Sequence, residues 1–69
     1  MASLRYGSSR LPMLLAQNNM SQSEFSRKLG VSKAFITKLI SGERKLSVLR
    51  LRKSAEILGC SMEDLYTWE

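Results

Sequence analysis

The sequence contains no histidine, one cysteine and one proline. Without histidine the commonest acid–base group near neutral pH is missing, and no paired carboxylates or Ser and Lys arrangement at a workable spacing takes its place. No enzymatic activity is expected. The lone Cys60 cannot close an intramolecular disulfide, and with no second thiol and no imidazole it completes no zinc site. Neither a metal nor another cofactor is expected. The longest apolar stretch, Leu11 to Ala16, is interrupted by Pro12 and falls far short of the roughly 20 residues a membrane-spanning helix needs. A membrane is not an expected partner. Acidic residues are absent before Glu24, so the Arg- and Ser-containing start faintly resembles a transit peptide, while its apolar stretch is too short for a secretory signal.

What is present is enough for one small domain. A chain of 69 residues leaves no room for a second domain and buries only roughly 60% of the surface its unfolded form exposes. Hydrophobic residues make up 43% and charged residues 25%, too apolar a balance for a disordered chain. The 11 Lys and Arg against 6 Asp and Glu give a net charge of +5, which holds a domain near polyanions. Nucleic acid is therefore the leading partner class. The charge is also unevenly placed. All the basic residues lie in 5–53, opposed there only by Glu24 and Glu43, whereas 54–69 carry acids and no base. A basic body with an acidic tail points the C-terminal end away from phosphates.

Along the chain, residues 1–9 lack periodicity and carry Gly7 and three serines, which reads as a flexible N-terminal arm before a folded domain over 10–69. A first helix is expected from Arg10 to about Asn18, with Pro12 in its first turn, where a missing N–H does little harm. Ser21 and Glu24 form a capping box for a second helix, Gln22 to Leu29. Gly30 suits the left-handed close of that helix, and Ser32 caps a third, Lys33 to about Ser41, with Ile36, Leu39 and Ile40 inward. Ser47 caps a fourth helix through Leu58, with Val48, Leu51, Ala55 and Leu58 at core spacing. Ser61 and Asp64 start a short fifth helix, in which Met62 and Leu65 are core candidates. No alternating strand pattern competes. The expected fold is all-α, a compact bundle of five helices without a sheet.

The run SQSEFSRKLGVSKAFITKLISG, residues 21–42, is two capped helices joined by a tight turn at Gly30, the pattern of a helix-turn-helix. With Ser21, Gln22, Phe25, Leu29, Gly30, Val31, Ser32, Ile36, Leu39 and Gly42 in register, the sequence resembles the Xre/Cro family of phage and bacterial repressors. The likeness extends through Leu11 and Leu14 on one side and LSVLRLRKSAEILGCSMEDL, residues 46–65, on the other. It implies the lambda-repressor-like DNA-binding fold and a third helix that enters the major groove of double-stranded DNA. Its N-terminal part would meet base edges through Lys33, Ala34 and Thr37, with Lys38 one turn on. Lysine donates to guanine O6 and N7, an alanine methyl touches a thymine methyl, and threonine donates, accepts or packs. By the same resemblance Gln22 holds a phosphate at the start of the second helix. Ser32 and Phe35 are candidates for backbone and sugar, Phe35 being equally placed for the core, and Arg44 and Lys45 are candidates for phosphates. The sequence departs from the family pattern at Ser26, Leu46, Arg52, Ser54 and Cys60, where alanine, proline, two apolar residues and valine are usual.

Tyr66 and Trp68 end a small domain, aromatic residues are enriched at interfaces, and the resembling short repressors pair through this end. A homodimer with Tyr66 and Trp68 in its interface is expected, as is room for a protein partner at the same acidic end. The reading is a sequence-specific transcriptional regulator, a repressor on a two-fold symmetric operator. It would work in the cytoplasm of a bacterium, on its nucleoid, or be encoded by a phage. An antitoxin that binds its promoter and its toxin, and a protein-interaction module on the same fold, are the alternatives.

Overall fold

In the computed structural model, which describes residues 6–68, the elements follow in the order β1 (Tyr6–Ser9), α1 (Leu11–Gln17), α2 (Gln22–Leu29), α3 (Lys33–Ser41) and α4 (Val48–Leu58). A 3₁₀ turn (Met62–Leu65) and β2 (Tyr66–Trp68) complete the chain. Local chemistry sets the helix ends. Pro12 stands in the first turn of α1, and Asn18 closes that helix with its side-chain amide donating to the Leu14 carbonyl at 2.8 Å. Ser21 caps α2 by accepting from the Glu24 N–H at 3.0 Å. Gly30 then takes φ +81°, a left-handed conformation that a Cβ would strain, and sends the chain directly into α3.

The expectation of five helices and no sheet is overturned at both ends of the fold. Among the described residues there are four α-helices, and the segment expected as a fifth is a single 3₁₀ turn. It stops because Tyr66 becomes extended, at φ −138°, and begins β2. The two strands pair antiparallel, Tyr6 opposite Trp68 and Ser9 opposite Tyr66, with an irregularity between them. There Gly7 lies so close to Thr67 that a Cβ would collide with its hydroxyl and carbonyl oxygens, while the Ser8 N–H donates to Thr67 Oγ1 at 2.8 Å. Glycine is required by that approach. Tyr6 to Ser9 thus form a strand where an arm was expected; residues 1–5 lie outside the described residues.

One core runs through the molecule, built from Leu11, Leu14 and Leu15 of α1, Phe25 and Leu29 of α2, Ile36 and Leu39 of α3, and the inner face of α4. Leu46, in the loop before α4, and Leu65 and Tyr66 complete it. Two expectations shift here. Val48, placed at core spacing, is 70% exposed beside Leu49, because it is the first residue of α4 and the inward face starts with Leu51. Tyr66, expected in a dimer interface, is 1% exposed and belongs to the protomer's own core. The departures from the family pattern resolve differently from one another. Ser26 is buried and satisfied, its hydroxyl donating to the Ser23 carbonyl at 2.7 Å. Arg52 stays on the surface with Glu56 at 3.7 Å. Ser54 is fully buried and its hydroxyl has no partner among the described residues. Among the described residues no helix is long and apolar enough to cross a membrane.

Candidate nucleic-acid interface

Two caps and one glycine aim the exposed face of α3. Ser32, extended at ψ 156°, accepts the Phe35 N–H on its Oγ at 3.1 Å and fixes the first turn. At 3.6 residues per turn, Lys33, Ala34, Thr37, Lys38 and Ser41 fall on one side of α3, and Ile36 and Leu39 on the other. Burial follows that division: the first set is exposed and the second fully buried. The four residues expected to read bases therefore share one continuous surface. Within it the Thr37 hydroxyl donates to the Lys33 carbonyl at 3.3 Å, which engages its proton and leaves an acceptor and a methyl outward.

Phe35 sits at the margin of that surface, half-buried and packed on the core. Its ring carries the Arg50 guanidinium at 5.1 Å from the centroid, a cation–π placement that sets an α4 cation beside the start of α3. The sequence reading missed Arg50. Phe35 at the margin of the α3 stripe was a signal that something from another element would cover it, but the partner lies fifteen residues on and only packing identifies it.

After α3 the chain turns at Gly42, and the Arg44 N–H donates to the Lys38 carbonyl at 3.1 Å. Arg44 and Lys45 project from this loop as exposed side chains, Lys45 with its ammonium 5.8 Å from the centre of the Tyr66 ring. Gln22 is exposed as the first residue of α2, which packs against α3. Ion pairs engage three of the described cations. Among the described residues the pairs within 4.0 Å are Arg10 with Asp64, Lys28 with Glu24 and Arg52 with Glu56. None involves Lys33, Lys38, Arg44, Lys45 or Arg50. Five cations on or beside α3 thus make no ion pair among the described residues, as Arg27 and Lys53 make none, and with Glu43 the one acid in the same stretch they form a net-positive surface that complements phosphates.

The family model described as Helix-turn-helix matches residues 13–65, most of the chain. The chain belongs to the helix-turn-helix family. The Xre/Cro resemblance read from Ser21 to Gly42 falls within the matched segment, and the function it supports is DNA-binding regulation. The crystal structure of the transcriptional regulator VanUg is similar over 100% of this chain and 91% of that one, with a TM-score of 0.73 and 25% identity. A search of the curated proteins finds no match. As a helix-turn-helix protein the chain contacts DNA, and its helix-turn-helix is formed by α2 and α3.

The remaining chemistry-bearing residues lie elsewhere. Trp68 is 38% exposed and its indole N–H donates to the Glu63 carbonyl at 2.8 Å. Burial, and after it the nearby Asp64 carboxylate, push the Cys60 thiol up, which favours its protonated form. Asp64 accepts from the Ser61 N–H at 3.1 Å and from its hydroxyl at 3.0 Å, and these bonds hold its carboxyl below the usual range. Among the described residues no group of three His, Cys, Asp or Glu side chains is placed to hold a metal ion.

Proposed function

We propose that this protein is a transcriptional repressor that lays α3 in the major groove and acts by occupying a two-fold symmetric operator as a homodimer. The observation that carries the reading is the cluster of cations on α3 and its flanks, none of them ion-paired among the described residues. A major groove about 12 Å wide admits one helix and shows each base pair as a distinct set of donors, acceptors and methyls. Lys33 donates to guanine O6 and N7, Ala34 packs on a thymine methyl, and Lys38 reaches the next base pair or its phosphate. Thr37 offers an acceptor or its methyl, its proton being held by the Lys33 carbonyl, which suits a cytosine or adenine amino group or a thymine methyl.

The flanks set position without reading sequence. Gln22 and Ser32 take phosphates on one side of the groove; Arg44, Lys45 and Arg50 take them on the other. Phe35 serves as the seat that aims Arg50. The dimer forms at the end of the molecule that carries Trp68, with Tyr66 supporting that end from inside the core. Trp68, 38% exposed, supplies apolar surface for a second copy. Two-fold symmetry then places half-sites about one helical turn apart.

Selection from a random duplex library at near-physiological salt tests this reading. The expected result is an enriched, two-fold symmetric motif containing guanine in each half. Enrichment of a single half-site would overturn the dimer and keep the recognition helix. No enrichment would favour an interaction module, whereas an enriched motif with a small toxic protein co-purifying would favour an antitoxin.

A further inference from the structure

The chain-end sheet meets the loop after α3 at Lys45, whose ammonium lies near the Tyr66 ring, and holds its backbone at Leu46. The Tyr6 hydroxyl donates to the Leu46 carbonyl at 3.0 Å, and the Leu46 N–H donates to the Tyr66 hydroxyl at 3.3 Å. Both polar groups of one peptide residue are thereby held by two tyrosines from opposite ends of the chain. The rings brace one another edge to face, 4.7 Å between centroids at 75°, and the Leu46 side chain is 2% exposed in the core. Immediately before Leu46 stand Arg44 and Lys45. The segment that bears them has two anchors: the Arg44 N–H on the α3 carbonyl of Lys38, and Leu46 between the tyrosines.

We propose that Tyr6 and Tyr66 are positioning residues for DNA binding, fixing the Leu46 backbone so that Arg44 and Lys45 are presented in one conformation. The inference rests on the DNA-binding reading of α3 and its flanks and adds to it a function for the terminal sheet. A two-stranded sheet has little stability of its own, and here it is secured by the Gly7 approach to Thr67 and by the indole bond of Trp68 to Glu63. Its two tyrosine hydroxyls convert that closure into order in the loop. Cations held in place bind phosphates without first losing rotamer and backbone freedom.

The test compares the full chain with Tyr6→Phe, which deletes one hydroxyl and keeps the ring contacts. Both are titrated with a duplex carrying the enriched motif, across a salt series and below the thermal midpoint of each. Tyr6→Phe is expected to bind about three- to tenfold more weakly, with the slope of log K against log salt reduced by up to about one. The same substitution made in Arg44→Ala/Lys45→Ala should have no further effect on affinity, since the loop then has no cations to present. A general loss of folding would not produce that non-additivity. Wild-type affinity and slope in Tyr6→Phe, or the same loss in both backgrounds, would overturn the proposal. Tyr66→Phe supplies a second variant, expected to show the same coupling to Arg44 and Lys45. Absence of salt-dependent binding by the wild-type chain would remove the DNA-binding reading itself, a result separate from either mutant comparison.

Discussion

Replacing Ser54 by alanine should stabilise this protein. Ser54 lies in the middle of α4, is 0% exposed, and carries a hydroxyl with no hydrogen-bond partner among the described residues. An unpaired hydroxyl in a protein interior costs about 1–3 kcal/mol relative to its hydrated state. Alanine removes that cost and, in a helix interior, adds a few tenths of a kcal/mol of intrinsic preference. Against this stands the void left by one oxygen, whose lost contacts are worth about 0.1–0.2 kcal/mol each. The net gain is about 1 kcal/mol or more, enough to raise the thermal midpoint of a domain this size by about 4–8 °C. Far-UV circular dichroism melts and urea titrations read it directly, the urea midpoint rising at constant m. Ser26→Ala provides the contrast, because the Ser26 hydroxyl is already paired with the Ser23 carbonyl at 2.7 Å. It should bring no comparable gain. An unchanged or lowered midpoint for Ser54→Ala would refute the reasoning, since it would mean that the buried hydroxyl contributes to the fold.

Lys33→Ala should cost about 1–3 kcal/mol of DNA affinity and relax preference at one or two base pairs, which repeated library selection would show as a flattened position in the motif. Arg44→Ala should instead weaken all sequences alike and reduce the salt slope by about one; a changed motif would contradict its assignment to phosphate. Gly30→Ala meets no atom within 4 Å but keeps φ +81°, so it should destabilise by about 1–2 kcal/mol through backbone strain alone. Asp64 titrates below the usual carboxylate range when folded because of its bonds to Ser61. Its contribution is therefore complete above the unfolded pKa, near 4, and lost as pH falls through the lower folded value. Asp64→Asn should flatten that acid limb in urea midpoints measured against pH, and an unaltered limb would assign it to other carboxylates.

The helical part of the fold was legible because its signals are local. Ser21, Ser32 and Ser47 mark where α2, α3 and α4 start, and Gly30, Gly42 and Gly59 mark where they stop. The sheet was not legible in the same way. Strands of four and three residues are too short to alternate, and each pairs with a segment some sixty residues away, so neither end reveals the other. Tyr66, Thr67 and Trp68 did offer a hint in their strand preference. The capping pair Ser61 and Asp64 outweighed it by indicating a helix, which the chain realises as one 3₁₀ turn.

The candidate site divides along the same line. Lys33, Ala34, Thr37 and Lys38 share a face that follows from the period of a helix beginning at Ser32, and the structure places them there. Phe35 lies one step off that face, and its dual character in the sequence corresponds to its half-buried position. What sequence alone could not supply were the contacts between elements: Arg50 on Phe35, and Leu46 between Tyr6 and Tyr66. Tyr66 illustrates the reason. Aromatic residues near a terminus suit an interface or a core equally well, and the decision depended on a strand pairing that no local pattern announced.

The account rests on the cationic surface of α3 and its flanks meeting the phosphates of a duplex, and the most direct measurement is the affinity for double-stranded DNA across a salt series. Neutralising several phosphates releases their counterions, so log K should fall linearly with log salt at a slope of about −0.9 per contact. With Gln22 and Ser32 uncharged, the candidates that set the slope are Lys33, Lys38, Arg44, Lys45 and Arg50, and a slope of about −3 to −5 is predicted. A flat response, or no binding at low salt, would contradict the central claim.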